Sequence, residues 1–265
     1  MSLDSIAVDA PARVGEQTDG FFVYFLARDS SELEAVYRMR YQVYCVERGF
    51  VSAAHCPGGV ERDEYDDHSI HILATHRSGH PAGTARLVLP SPLGFPLMRY
   101  CTFSGEYEFL NDPRHPALAK FAEISRLAVS KTFRQREGDS EYGGPPRRPE
   151  DPRHDGRDFS LQPGDGPEIL LGASRLIYQE TKRRAITHWM VAMERGLHLM
   201  LKRIGFRFIP AGPEVDYYGP VRPYVTNTAE FERYLYHRRP NTLRYFVSGL
   251  DHGLVPDSFR DLGPG

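Results

Sequence analysis

ITHWMVAMERGLHLMLKRIGFRFIPAG, residues 186–212, decides the fold. It divides into three pieces of different period. Residues 186–193 form an apolar run of strand length. Residues 194–205 change to helical spacing and stop at Gly205, a residue suited to a helix C-terminus. Residues 206–212 are strand-like again. A strand, a helix and a strand in that order predict an α/β unit.

The same signals recur toward the N-terminus. FFVYFLARD (21–29) predicts an opening strand. The helix after it takes Ser30 or Ser31 as N-cap and Glu34 as capping-box partner, with Leu33, Val36, Tyr37, Arg40, Tyr41 and Tyr44 at helical spacing and Gly49 as terminator. SIHILATH and AGTARLVLP, joined by RSGHP, predict a β-hairpin. Residues 118–130 alternate as a strand. Residues 168–185 place Ile169, Leu170, Ala173, Leu176 and Ile177 on one helical face, and the tail after 221 reads as a late strand and a short helix. Residues 137–168 are dense in Gly, Pro and charge, too poor in apolar residues to order themselves, and read as a flexible insertion. Residues 1–19 read as a disordered leader without a basic start or an apolar core, hence no secretory signal. The expectation is one α/β domain over 20–265, a mixed central sheet flanked by helices.

Composition narrows the class. The chain has 265 residues, of which 40% are hydrophobic and 26% charged, enough to bury a substantial core. A net charge of −2 supplies no basic field for nucleic acid. No apolar run reaches the roughly 18 residues of a membrane span. Cys45, Cys56 and Cys101 form neither a disulfide framework nor a zinc-like pattern, which suits a reducing cytoplasm and leaves no metal to assign.

Four short motifs carry the chemistry. RYQVY supplies Arg40 and Tyr44, and ERDEYD supplies Glu61, Asp63, Tyr65 and Asp66. GTARL supplies Gly83 and Arg86, and EISRL supplies Glu123, Ser125 and Arg126. In order and spacing they resemble the acyl-homoserine lactone (autoinducer) synthase family, whose hallmarks are R-x-x-x-[FY], E-x-D-x-[FY]-D, G-x-x-R and E-x-S-R. The wider layout, including RYQVYCVERGF and EISRLAVSKTFR, looks closer to the related N-acyl amino acid synthases and the acyltransferases associated with PEP-CTERM/exosortase systems. The resemblance implies the fold of the Gcn5-related N-acetyltransferases (GNAT). It also implies an acyl thioester, on acyl carrier protein or coenzyme A, as co-substrate, a small amine as acceptor, and no permanently bound cofactor. The homoserine lactone product is the alternative within the family, and a non-catalytic acyl-carrier-binding module the alternative of another class.

Arg40, Tyr44, Asp63, Asp66 and Arg86 are the substrate-binding candidates that the resemblance indicates, with Glu61 and Tyr65 supporting and Glu64 and Asp67 facing solvent. Two carboxylates three residues apart face one point only when cations hold them there, and the planar fork of arginine suits that pairing. The same residues also fit a structural ion-pair network. Glu123 and Ser125 share a strand face with Phe121, Leu127 and Val129, while Arg126 points away unless a β-bulge intervenes. A carboxylate among apolar neighbours has a raised pKa, so Glu123 is the candidate base, or else the partner of Arg126 or Arg86. Leu127, Ala128 and Val129 are candidates for the acyl cleft, with an oxyanion donor among the backbone N–H groups of 127–129; Trp189 and Met190 read first as core residues and are cleft candidates as the alternative. QREGDS (135–140) fits a pyrophosphate cradle only loosely, which favours a carrier-protein donor. Arg134, Arg136, Arg147 and Arg148, or Lys182, Arg183 and Arg184, are the basic runs for docking an acidic carrier.

Overall fold

The computed structural model describes residues 17–19, 21–134 and 168–260. The strands are β1 (Gln17–Asp19), β2 (Phe22–Ala27), β3 (Ser69–His76), β4 (Pro81–Val88), β5 (Phe121–Val129), β6 (His188–Met193), β7 (Ile209–Pro210), β8 (Val215–Asp216) and β9 (Pro220–Asn227). The helices are α1 (Ser30–Tyr41), α2 (Lys131–Arg134), α3 (Glu168–Arg183), α4 (Arg195–Ile204), α5 (Thr228–Arg238), α6 (Pro240–Val247) and α7 (Asp257–Arg260). The sheet runs β1-β2-β3-β4-β5-β6-β9-β7, with β8 paired to β9. Its pairs are antiparallel except β5 with β6. The expected mixed α/β sheet is therefore present. The strand–helix–strand signal of 186–212 corresponds to β6, α4 and a much shorter β7.

Period-two alternation divides the sheet into two faces. Tyr24, Ile72, Ala85, Leu87, Ala122 and Trp189 point to the back, where α3, α5 and α6 cover them in the main core. Phe25 and Leu73 point to the front under α1. Val88, Phe121 and Met190 also face front, against Phe95, Leu97 and Leu110 of the 89–120 connection. At Gly172 the back layer lies directly on the sheet: a Cβ there would stand 2.2 Å from the Tyr24 ring. Tyr24 is fully buried and its hydroxyl donates to the Glu168 carbonyl. Gly172→Ala is expected to destabilise the fold by about 1–3 kcal/mol, the usual cost of overpacking, read by urea unfolding.

Local differences from the sequence reading have physical causes. Helix α1 is capped by Asp29, whose side chain accepts from Glu32 N–H while Glu32 answers the cap backbone. A carboxylate one residue before the serines thus takes the cap, and Glu34 pairs Arg38 instead, at 2.7 Å. After Tyr41 the helix widens into a π-turn, Gln42–Glu47, and ends before Gly49 at φ 66°. Residues 17–19, assigned to the leader, form β1; their polar sequence offers no strand signal. Residues 118–120 are 3-10 turn rather than strand. Glu168, counted in the insertion, begins α3. Residues 1–16 and the rest of the insertion, 137–167, lie outside the described residues.

Two irregularities in β5 shape the front face. Thr84 pairs Ala128 but Arg86 pairs Ser125, so Ala85 alone opposes Arg126 and Leu127. This is a β-bulge with Arg126 at φ 50°, a conformation costing a non-glycine residue about 1–3 kcal/mol. The second irregularity is a splay. β5 and β6 pair only over 121–123 with 188–190, and beyond Glu123 they part.

Candidate active site

The four motifs converge on the front face. Arg86 on β4 pairs across to Ser125, and its Nε donates to the Ser125 hydroxyl at 3.1 Å. Its Nη1 donates to Asp63 Oδ1 at 2.6 Å and to Asp66 Oδ1 at 2.7 Å. Arg40, the penultimate residue of α1, grips Asp66 with both Nη atoms and Glu61 with Nε. The bulge swings Arg126 onto the same acids: Nη2 donates to Glu61 Oε1 at 3.0 Å and Asp63 Oδ2 at 2.9 Å. Three arginines thus face three carboxylates. Arg40 and Arg86 are fully buried, and Asp66 nearly so.

Low local polarity strengthens these pairs, and their charges are mutually dependent. Burial alone would raise the pKa of Glu61, Asp63 and Asp66, but the guanidiniums outweigh it and hold all three below the ordinary carboxylate range. His71 lies against the Asp66 carbonyl through Nε2 at 3.1 Å, and burial lowers its pKa. The acidic loop is tied internally as well. Asp66 Oδ2 accepts from Asp63 N–H, and Asp63 Oδ1 from Tyr65 N–H.

Beside the cluster, the β5/β6 splay opens a cavity of about 490 Å3. Leu127, Ala128 and Val129 line it from β5, with Val191, Ala192 and Met193 opposite on β6. Its deep part is apolar, walled by Ile169, Ala173 and Ile177 of α3 and by Leu201 and Phe206. Toward the front it meets Glu123, Ser125 and Arg126, then a rim of Tyr44, Arg48, Phe50, Tyr217 and Tyr218. The rim rings form a ladder. Tyr44 and Phe50 are 6.3 Å apart, Phe50 and Tyr218 6.1 Å, and Tyr217 and Tyr100 4.0 Å. The Tyr44 hydroxyl donates to the Leu127 carbonyl at 2.9 Å, fixing the rim to the bulged strand.

Glu123 is the titratable group at the junction. It is 4% exposed and its Oε2 accepts the Leu97 N–H at 2.8 Å. Burial pushes its carboxyl up to about 7, against the opposing pull of that N–H and of Arg86 and Arg126. A group poised there exchanges protons near neutrality. The thiols are poised the other way. Burial raises Cys45 to about 12, with its contact to Cys56 adding to the rise, and raises Cys101 to about 11. Among the described residues no group of three or more His, Cys, Asp or Glu is placed to hold a metal.

Several sequence expectations change here. Arg40, Asp63, Asp66 and Arg86 do not line the cavity; they are packed beside it and hold one another. Glu61, a supporting residue by sequence, is a full member that binds both Arg40 and Arg126. Glu64 and Asp67 do face solvent, paired to Arg99 and Arg62. Leu127 and Val129 pack toward the back core rather than sharing a face with Glu123, because the bulge shifts the alternation by one residue. Trp189 and Met190 are fully buried in the two core layers, on the paired stretch of β6, and stand outside the cavity. Trp189 Nε1 donates to Thr181 Oγ1 instead. Lys182 is paired to Glu232, and Arg183 and Arg184 to Glu180, at the end of α3 remote from the turns that wall the cavity. Arg136, Arg147, Arg148 and QREGDS lie outside the described residues, as does the Arg134 side chain. Missed altogether were Tyr217 and Tyr218, which stand between β8 and β9 in a connection that no motif of the sequence marks.

Residues 39–141 match the family model described as Acetyltransferase (GNAT) domain. The crystal structure of TofI in a ternary complex with an inhibitor and MTA is similar at 19% identity and a TM-score of 0.53, over 87% of this chain and 98% of that one. The AHL synthase LasI is similar at 16% identity and a TM-score of 0.51, over 79% and 91%. FeeM, an N-acyl amino acid synthase from uncultured soil microbes, is similar at 13% identity and a TM-score of 0.51, over 80% and 94%. No curated protein matches the sequence. Residues 39–141 are thus similar to a GNAT acetyltransferase domain, and the chain shares the fold of LasI and FeeM.

Proposed function

We propose that this acyltransferase moves a long acyl chain from a phosphopantetheine thioester to the amino group of an amino acid, giving an N-acyl amino acid and a free thiol. The observation that carries this reading is one continuous cavity, apolar within and polar at Glu123, Ser125 and Arg126. An alkyl chain fills the deep part, which leaves its thioester carbonyl at the polar junction. The acceptor arrives as an ammonium ion and must lose a proton before it attacks. Glu123, poised near neutrality, takes that proton directly or through a water. Arg126 lines the same junction and carries the charge to receive the acceptor's carboxylate. The C–N bond forms as the C–S bond breaks; the nitrogen sheds its second proton, which the departing thiolate takes up, and the proton held by Glu123 passes to solvent.

The oxyanion of the tetrahedral intermediate needs a donor. Ser130 N–H turns back to Ala82 O, so strand alternation directs Leu127 and Val129 N–H toward the open side of β5. Arg40, Glu61, Asp63, Asp66 and Arg86 act as positioning residues, holding Arg126 and Ser125 in place. Acyl carrier protein is the proposed donor, and three free cysteines support a reducing compartment, the cytoplasm. Among the described residues no helix is long and apolar enough to cross a membrane.

The test supplies acyl carrier protein or coenzyme A thioesters of graded chain length with mixed amino acids, and follows thiol release and products by mass spectrometry. The expected product is an N-acyl amino acid, formed faster from the carrier protein. A lactone product would transfer the reading to an acyl-homoserine lactone synthase. No thiol release from either donor, at any length, would sink the acyltransfer mechanism.

A further inference from the structure

Cys45 and Cys56 stand against each other beside the cavity rim, and the acyl-transfer chemistry uses neither. Cys45 follows Tyr44 in the π-turn, and Cys56 lies between the 3-10 turns Ala53–His55 and Pro57–Gly59. Both are free thiols, and the Cys45 S–H reaches the Cys56 sulfur at 3.5 Å. A disulfide bond is about 2.05 Å long, so two sulfurs already in contact need only a small approach to bond. The segment between them carries Arg48, Phe50 and Val51, three residues that line the cavity. Its two ends are also the site's own supports. Tyr44 precedes Cys45 and holds the Leu127 carbonyl, and the chain after Cys56 leads into Glu61.

We infer that Cys45 and Cys56 form a reversible disulfide that closes this rim segment into a covalent loop and slows passage of the acyl chain. Each thiol gives up its hydrogen, and two electrons and two protons pass to the oxidant. A peroxide accepts them to become water, and a small-molecule disulfide accepts them to become two thiols. The Cys45 thiol is held protonated by its surroundings, so the bond forms slowly. Closing a short loop removes freedom from the rim that a long, flexible substrate needs for entry and release. In a reducing compartment such a bond is transient, the usual form of an intracellular redox sensor.

The test treats the full chain with hydrogen peroxide or diamide and measures intact mass without reductant. The expected result is loss of two hydrogen masses, a linked peptide pair containing Cys45 and Cys56, Cys101 still open to alkylation after unfolding, and full reversal by dithiothreitol. Cys45→Ser and Cys56→Ser should each abolish the mass change. Both thiols remaining alkylatable after oxidant, or a link through Cys101, would overturn the inference. The effect on turnover rests on the acyltransferase reading and is measured separately. Acyl transfer is expected to fall about tenfold on oxidation and recover on reduction, with Cys45→Ser insensitive, since a displacement of about 1 Å near a site costs up to a hundredfold. Unchanged turnover in a fully linked sample would remove the regulatory role. An inactive protein in every state would count against the acyltransferase reading and leave the thiol result standing.

Discussion

Asp66→Ala is expected to cost about 3–5 kcal/mol of stability, the range for removing one partner from a buried ion pair. The geometry puts it at the upper end. Asp66 Oδ1 accepts from both Arg40 and Arg86, and Oδ2 accepts from Arg40 and from the Asp63 backbone. Alanine leaves two fully buried guanidiniums short of an acceptor, with three positive charges facing two carboxylates. Glu64→Gln, which breaks an exposed pair to Arg99, serves as the control and should cost at most about 1 kcal/mol. Urea unfolding at neutral pH measures both. A cost for Asp66→Ala no larger than the control's would mean that the cluster carries no folding energy. The pH dependence adds a second reading. The arginines lower the Asp66 pKa, so its contribution is complete above the ordinary carboxylate range and lost as pH falls through the folded value. Wild type should therefore lose stability toward acid more steeply than Asp66→Ala. Pairing Asp66→Ala with Arg86→Met should recover part of the loss, because the double change also removes one stranded charge.

That cluster marks the boundary of what the residues disclose by themselves. The hairpin of β3 and β4 was legible because its signals are local: two alternating runs, a Gly-containing turn, and a length suited to strands. So was α4, with Gly205 at its end. The convergence of Arg40, Asp66 and Arg86 was legible only as a pattern of four motifs, because their contacts span three elements far apart in the chain. Whether they bind substrate or hold one another is a question of depth, and depth depends on how α1 and the 61–68 loop press on the sheet. The bulge at Arg126 was foreseeable only as an exception to alternation. Its consequence was larger, since it moved Arg126 into the cluster and turned Leu127 and Val129 toward the back. The splay is less legible still. It arises from where β5 and β6 stop pairing, and β6 reads as a uniform apolar strand because its paired portion is buried on both faces. Trp189 and Met190 therefore look no different in sequence from Val191 and Ala192, which line the cavity.

Glu123→Gln is expected to remove turnover while making the protein more stable, a combination that separates a catalytic base from a structural ion pair. The stability effect follows from the raised pKa. Unfolded, the carboxyl ionises near its ordinary value of 4.5; folded, burial holds it at about 7. Below pH 4.5 both states are neutral and the group costs nothing. Between the two values the unfolded chain ionises first, so stability falls as pH rises, and above 7 the full penalty of about 3 kcal/mol is present. Glutamine keeps the shape and an oxygen for the Leu97 N–H but has no charge to bury. The variant should therefore match wild type near pH 4.5 and exceed it by about 3 kcal/mol at pH 8, measured by urea unfolding across that range. Turnover reads the other half. General acid–base catalysis is worth about 10²- to 10⁴-fold, so the variant's kcat should fall by that factor, and the wild-type kcat should rise with pH through an apparent pKa near neutrality. A Glu123 that only paired Arg86 or Arg126 would give the opposite stability result, since glutamine would strand a buried cation. Stability gained with kcat unchanged would leave Glu123 as a buried acid without a part in the proton transfer. Stability gained with kcat lost assigns the proton to it, because the substitution leaves the Leu97 contact, the cavity wall and the neighbouring arginines with the partners they already have.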